Sequence, residues 1–100
     1  MSRATIVRYR TRPETADENE RLIGAVFAEL AERRPAGLAY QSFRLADGVS
    51  FVHVAVFEGD DNPLDDVLAF KEFVGGIAGR CDEPPAGTPG RVVGSYRPAP

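Results

Sequence analysis

Asp47-Gly48 stands between two β-rich runs, Leu38 to Leu45 and Val49 to Phe57. This dipeptide suits the positive-φ positions of a tight hairpin turn, so the flanking runs are expected as adjacent antiparallel strands. A two-residue turn pairs Ala46 with Val49, Ser42 with His53 and Tyr40 with Ala55. One face then carries Leu38, Tyr40, Ser42 and Arg44 beside Phe51, His53, Ala55 and Phe57. The other carries Ala39, Gln41, Phe43 and Leu45 beside Ser50, Val52, Val54 and Val56. A three-residue turn with a bulge would shift the register and disperse the first set. The run Val49 to Phe57 is nearly apolar on both faces, as in a strand covered on both sides.

The rest of the chain separates by its punctuation. Thr5 to Arg12 alternates, with Thr5, Val7, Tyr9 and Thr11 on one face, and Pro13 stops it. Thr15-Ala16-Asp17-Glu18 has the form of a capping box, opening a helix with Ile23, Val26, Phe27 and Leu30 at helical spacing. That helix is expected to stop before Pro35-Ala36-Gly37, with Glu29, Glu32, Arg33 and Arg34 on a solvated face. Asn62 as cap, Pro63 in the first turn, and Asp65 and Asp66 near the positive end of the dipole announce a second helix. Its apolar positions are Leu64, Val67, Phe70, Val74 and Ile77, and Gly75-Gly76 weakens its last turns. Asp82 to Gly90 reads as neither helix nor strand, Arg91 to Arg97 as a short final strand, and Pro98-Ala99-Pro100 as a frayed tail. The order is β-α-β-β-α-β: an α+β, ferredoxin-like single domain over residues 1–100, a four-stranded antiparallel sheet with two helices on one face. Two helices cannot cover both faces, so a homodimer formed sheet against sheet is expected.

One hundred residues, 43% of them apolar, permit one modest core and not two. No apolar run reaches the roughly 18–20 residues of a membrane span, and Met1 to Arg8 lacks the apolar stretch of a signal peptide. A cytoplasmic protein is expected. A net charge of −3 argues against a general nucleic-acid or anionic-membrane binder. One cysteine, Cys81, excludes an internal disulfide and a Cys-rich zinc site. One histidine, His53, excludes every motif that needs two. No GxxxxGK[ST] or GxGxxG motif is present, and Glu58 to Asp66 lacks the ligand spacing of a calcium loop.

The first hairpin face mixes aromatic walls with a few convergent polar groups, the usual make-up of a small-molecule pocket. His53 titrates near neutrality, which suits a general base; the alternative is a sheet histidine satisfied by Ser42 or a backbone carbonyl. Tyr40 and Tyr9 suit a ligand hydroxyl; the more frequent alternative is ring packing with a hydrogen bond at the edge. Arg44 suits an anionic group or an exposed strand end. Cys81 beside Arg80 is either a lowered-pKa thiol or an inert helix-end cysteine.

The βαββαβ order, the start Ile6-Val7-Arg8-Tyr9-Arg10-Thr11-Arg12-Pro13 and the strand end Val54-Ala55-Val56-Phe57-Glu58 resemble the antibiotic biosynthesis monooxygenase family over most of the chain. The resemblance implies a small dimeric α/β barrel with its pocket between sheet and helices and the second sheet face inside the dimer. It also implies cofactor-independent oxidation of aromatic polyketide phenols by dioxygen, with no cofactor bound. Haem-degrading relatives use an Asn on the first strand, a Trp at the end of the third and a His on the second helix. The matching positions here are Val7, Phe57 and no histidine, which disfavours haem degradation. The Phe57 match turns the Tyr40, Ser42 and His53 face toward the pocket and sends Arg8 and Arg10 to the dimer side.

RNA-recognition domains share this element order, and Gly48 to Val54 loosely echoes their third-strand motif. Asp47, Val49 and Val54 stand where that motif needs a basic residue and stacking aromatics, so RNA binding is not expected. The leading expectation is a small aromatic or polycyclic phenolic substrate. His53 would take the phenolic proton, Tyr9, Tyr40 and Ser42 would orient the substrate, and Phe51 and Phe57 would wall the site. The alternatives are a non-catalytic dimeric small-molecule-binding or accessory module, and an isomerase or decarboxylase on the same barrel that consumes no oxygen.

Overall fold

A computed structural model describes residues 2–96. The elements are β1 (Ser2–Thr11), α1 (Ala16–Arg33), β2 (Leu38–Arg44), β3 (Ser50–Glu58), α2 (Leu68–Ile77) and β4 (Cys81–Arg91). The four strands form one antiparallel sheet in the order β2-β3-β1-β4, the ferredoxin-like βαββαβ arrangement.

The hairpin register is the one the Asp47-Gly48 turn predicts: Ser42 pairs with His53 and Tyr40 with Ala55. The connection itself is longer than two residues. Leu45 N–H donates to the Ser50 carbonyl (2.8 Å), and residues 46–49 lie outside both strands. Asp47 holds this loop by accepting from Val49 N, Ser50 N and Ser50 Oγ (3.0, 2.8 and 2.6 Å). Those donors pull its carboxyl pKa down to about 2.

Three expectations about the elements are corrected. No capping box forms: Thr15 Oγ1 instead donates to the carbonyls of Arg12 and Arg80 (3.2 and 2.8 Å), tying the start of α1 to the start of β4. Glu29 is not an idle surface charge. Its carboxylate accepts from the Leu68 and Ala69 backbone N–H groups (3.0 and 2.8 Å), capping α2 from the neighbouring helix. It can do so because the second helix starts late. Asn62 caps only a 3₁₀ turn, Pro63–Asp66, and Val67 is extended before α2 begins. The helix then runs through Gly75-Gly76.

The last strand is also displaced. Asp82 to Gly90 lies inside β4, and residues 92–96 have no regular structure; Arg97 and the tail lie outside the described residues. β4 borders only β1, so its ladder needs only alternate residues, and a Pro-rich segment is admitted. Arg10 pairs with Glu83 and Arg8 with Ala86, which leaves Pro84 and Pro85 together opposite Tyr9 as a bulge.

Both helices pack on one face of the sheet, over a core of Tyr9, Ala16, Ile23, Val26, Phe51, Phe73 and Ile77. The other face has no covering helix: Ile6 and Phe43 are 42% and 47% exposed, and Val52, Val54 and Val56 are half-buried around them. Arg8 and Arg10 stand exposed on the same face, and residues of the 92–96 segment border it beside Ala39, Val54 and Val56. Among the described residues no helix is long and apolar enough to cross a membrane.

Candidate functional site

The strand alternation puts Tyr9, Tyr40 and His53 on the helix side of the sheet, and α2 lies across them. Between the two is a cavity of about 260 Å³. Phe70, Phe73, Val74 and Ile77 form its roof, and its polar lining residues are Thr5, Tyr9, Tyr40, His53 and Asn62. Its size lies just under the roughly 300–1,000 Å³ of sites for drug-sized molecules, which fits a smaller ligand. Among the described residues no Asp, Glu, Lys or Arg lines it.

The aromatic groups are ordered as a row. Phe51 stacks on Tyr9 (5.6 Å between centroids, 10° between planes), Tyr9 on His53 (5.4 Å, 14°), His53 on Tyr40 (5.9 Å, 20°) and Tyr40 on Phe27 (5.1 Å, 11°). Such offset stacks fix ring orientation as well as burying area. His53 sits mid-row, 5% exposed, with both nitrogens engaged. Nε2 is 2.7 Å from Tyr9 Oη; Nδ1 is 2.7 Å from Ser42 Oγ and 2.9 Å from Tyr40 Oη.

Behind Tyr9 the polar chain continues into the core. Asn19 Nδ2 donates to Tyr9 Oη (2.8 Å), and Arg80 Nε donates to Asn19 Oδ1 (3.0 Å). Asn19 is fully buried and Arg80 nearly so. Among the described residues no buried side-chain nitrogen or oxygen lacks a hydrogen-bond partner. Burial lowers the His53 pKa to about 4, so the imidazole is neutral at physiological pH. Burial likewise raises both phenols, at Tyr9 against the hydrogen bond from Asn19 and at Tyr40 against Ser42.

Of the residues singled out from the sequence, Tyr9, Tyr40 and His53 line the cavity, and both tyrosines are hydrogen-bonded to His53. Ser42 reaches the cavity only through His53. Phe51 is in the core behind Tyr9, and Phe57 lies under the Arg3 guanidinium (4.6 Å), so neither walls the cavity. Arg44 joins β2 to α1 through Asp17 and Glu20 (3.0 and 2.9 Å). The Cys81 thiol is raised by burial, which outweighs the neighbouring Arg80 charge. Among the described residues no cluster of His, Cys, Asp or Glu could hold a metal ion.

Asn19 was not singled out from the sequence and Arg80 only as the neighbour of Cys81, yet both carried a signal. Asn19 is four residues before Ile23 and seven before Val26, and Arg80 is seven after Phe73 and three after Ile77. Each is a polar residue on an apolar stripe.

No protein-family model and no curated protein matches the chain. Solved structures do. A protein of unknown function from Nitrosomonas europaea is 14% identical with a TM-score of 0.77, over 99% of this chain and 96% of that one. A structure described as an antibiotic biosynthesis monooxygenase is 21% identical (TM-score 0.68, 92% and 99% covered). The ActVA-Orf6 monooxygenase of Streptomyces coelicolor, solved with the ligand nanaomycin D, is 17% identical (TM-score 0.66, 98% and 93% covered). The chain therefore has the fold of the antibiotic biosynthesis monooxygenase structures.

Proposed function

We propose that this chain binds a small, uncharged aromatic molecule in the cavity between sheet and helices, as a cytoplasmic homodimer joined through the open sheet faces. The observation that carries the reading is a preformed apolar cavity with a hydrogen-bonded Tyr9–His53–Tyr40 cluster set into it. The exposed apolar surface around Ile6 and Phe43 supports the homodimer. Calorimetric titration with 1-naphthol tests the site. Wild type is expected to bind and Ala55→Leu, which fills the cavity from β3, to bind at least tenfold more weakly. Equal affinity of the two proteins would place the ligand elsewhere.

A second reading, cofactor-independent oxygenation of a phenol, is favoured by the Tyr9–His53 pair and by the monooxygenases among structures of this fold. A phenol hydrogen-bonded to Tyr9 Oη would lose its proton as the Tyr9 proton moves to His53 Nε2. Dioxygen then places one oxygen atom on the ring and the other leaves as water, so a phenol becomes a quinone. With phenols near pKa 10 and His53 near 4, the proton transfer is uphill by roughly 8 kcal/mol. That fits within the barrier of about 17 kcal/mol for one turnover per second, but it leaves no resting phenolate. Binding is therefore the reading the geometry supports first. Oxygen uptake with hydroxynaphthalenes separates the two. Under the oxygenase reading His53→Ala abolishes uptake and leaves the dimer intact; absent uptake in wild type leaves a binding module.

A further inference from the structure

Arg80 is 7% exposed, and its guanidinium is held by neutral groups, Asn19 Oδ1 and the Phe73 carbonyl (3.0 and 2.8 Å), over the Phe73 ring. Burying a cation costs several kcal/mol unless its donors are satisfied, so its position calls for a reason. Gly76 makes the room: a Cβ there would stand 2.8 Å from Arg80 Nη1.

The reason lies in direction. A guanidinium only donates. Asn19 must therefore turn its carbonyl oxygen to Arg80, which leaves its NH2 group for Tyr9. Tyr9 Oη accepts that bond, and its own proton is left for His53 Nε2, the other polar atom within reach. In the ligand-free protein the opposite arrangement would leave the buried Tyr9 proton with no acceptor from the protein. A neutral imidazole that accepts at Nε2 carries its proton on Nδ1.

We propose that Arg80 is a positioning residue which, through Asn19 and Tyr9, fixes His53 in the Nδ1–H tautomer and so leaves the Tyr40 phenol proton for an acceptor atom on a ligand. Nδ1–H donates to Ser42 Oγ or Tyr40 Oη, and neither hydroxyl can then donate back to the ring. Two hydroxyl protons remain, at most one is used between the hydroxyls, and Tyr40 is the one of the pair that lines the cavity. The ligand class follows: an uncharged apolar molecule with a carbonyl-type oxygen. A carboxylate or phosphate would meet no cation among the lining residues. This ligand class rests on the binding reading above; the tautomer does not.

The chain's one histidine makes the test direct, because long-range 1H–15N correlation of the intact, ligand-free protein reports two imidazole nitrogens and no others. Wild type is expected to carry the proton on Nδ1 at pH 7. Asn19→Asp still accepts from Arg80 but cannot donate, so Tyr9 gives its proton to the carboxylate and His53 switches to Nε2–H. Arg80→Lys is expected to keep the wild-type tautomer and Arg80→Met to give a mixture. Nε2–H in wild type, or Nδ1–H retained in Asn19→Asp, overturns the assignment. For the ligand, wild type is expected to bind 1-tetralone at least tenfold more tightly than tetralin, and Tyr40→Phe to erase the difference. Equal binding, or none, overturns the Tyr40 role while the nitrogen signals still decide the tautomer.

Discussion

The two faces of the sheet are built from alternate residues of the same strands and could hardly be finished more differently. On the helix side every buried polar side chain has a partner, and the aromatic rings are locked in a stacked row from Phe51 to Phe27. On the open side Ile6 and Phe43 meet solvent beside a patch of half-buried valines. The difference teaches where each face draws its order. The helix side is complete within one chain, and its specificity lies in hydrogen bonds that allow few alternatives. The open side has exposed apolar area flanked by Arg8 and the Arg10–Glu83 pair, which suits association more than selection of a small ligand.

The comparison can be broken most forcefully on the helix side. Phe73 is 3% exposed and touches Tyr9, His53 and Arg80, so Phe73→Ala is expected to cost about 3–5 kcal/mol in urea unfolding. A loss under about 1 kcal/mol would mean that the roof of the cavity is loosely packed. Tyr9→Phe removes one oxygen and strands both Asn19 Nδ2 and His53 Nε2. About 2 kcal/mol is expected from unsatisfied buried groups, measured the same way.

Acid sharpens the contrast without any substitution. An unfolded chain, with its histidine near 6.5, takes up a proton on going from pH 7 to pH 5, while folded His53, held near 4, stays neutral. The unfolded state binds more protons in that window, so stability falls as pH falls, by about 2 kcal/mol between pH 7 and pH 5. His53→Gln is expected to flatten that slope. Asp47, lowered to about 2, adds its own loss only below about pH 4, outside the window. The smallest effect belongs to the open side. Ile6→Lys is expected to change the stability of the single chain by under about 0.5 kcal/mol, yet to abolish the proposed self-association in sedimentation equilibrium. A large stability loss from Ile6→Lys at concentrations where the chain is monomeric would show that this face, too, is finished within one chain.

Much of the fold was legible because local signals agreed with one another. Asp47-Gly48 and the alternation on either side of it specify one register, and that register brings Tyr40, Ser42 and His53 to one place. β4 was hidden because its strand character comes from pairing with β1 and not from its own Pro- and Gly-rich residues. Glu29 was hidden because a cap donated between helices leaves no local pattern. Arg80 and Asn19 were hidden for a related reason. Each has the residue type of a helix surface, and only the three-dimensional sum of two stripes brings them together.

The prolines of β4 have a consequence at the margin of the sheet. Pro84, Pro85 and Pro89 have no N–H to offer, and the bulge opposite Tyr9 bends the strand where they begin. A foreign strand approaching that border finds an incomplete row of donors and a kinked rail, which disfavours propagation of the sheet on that side into a fibre or a runaway polymer.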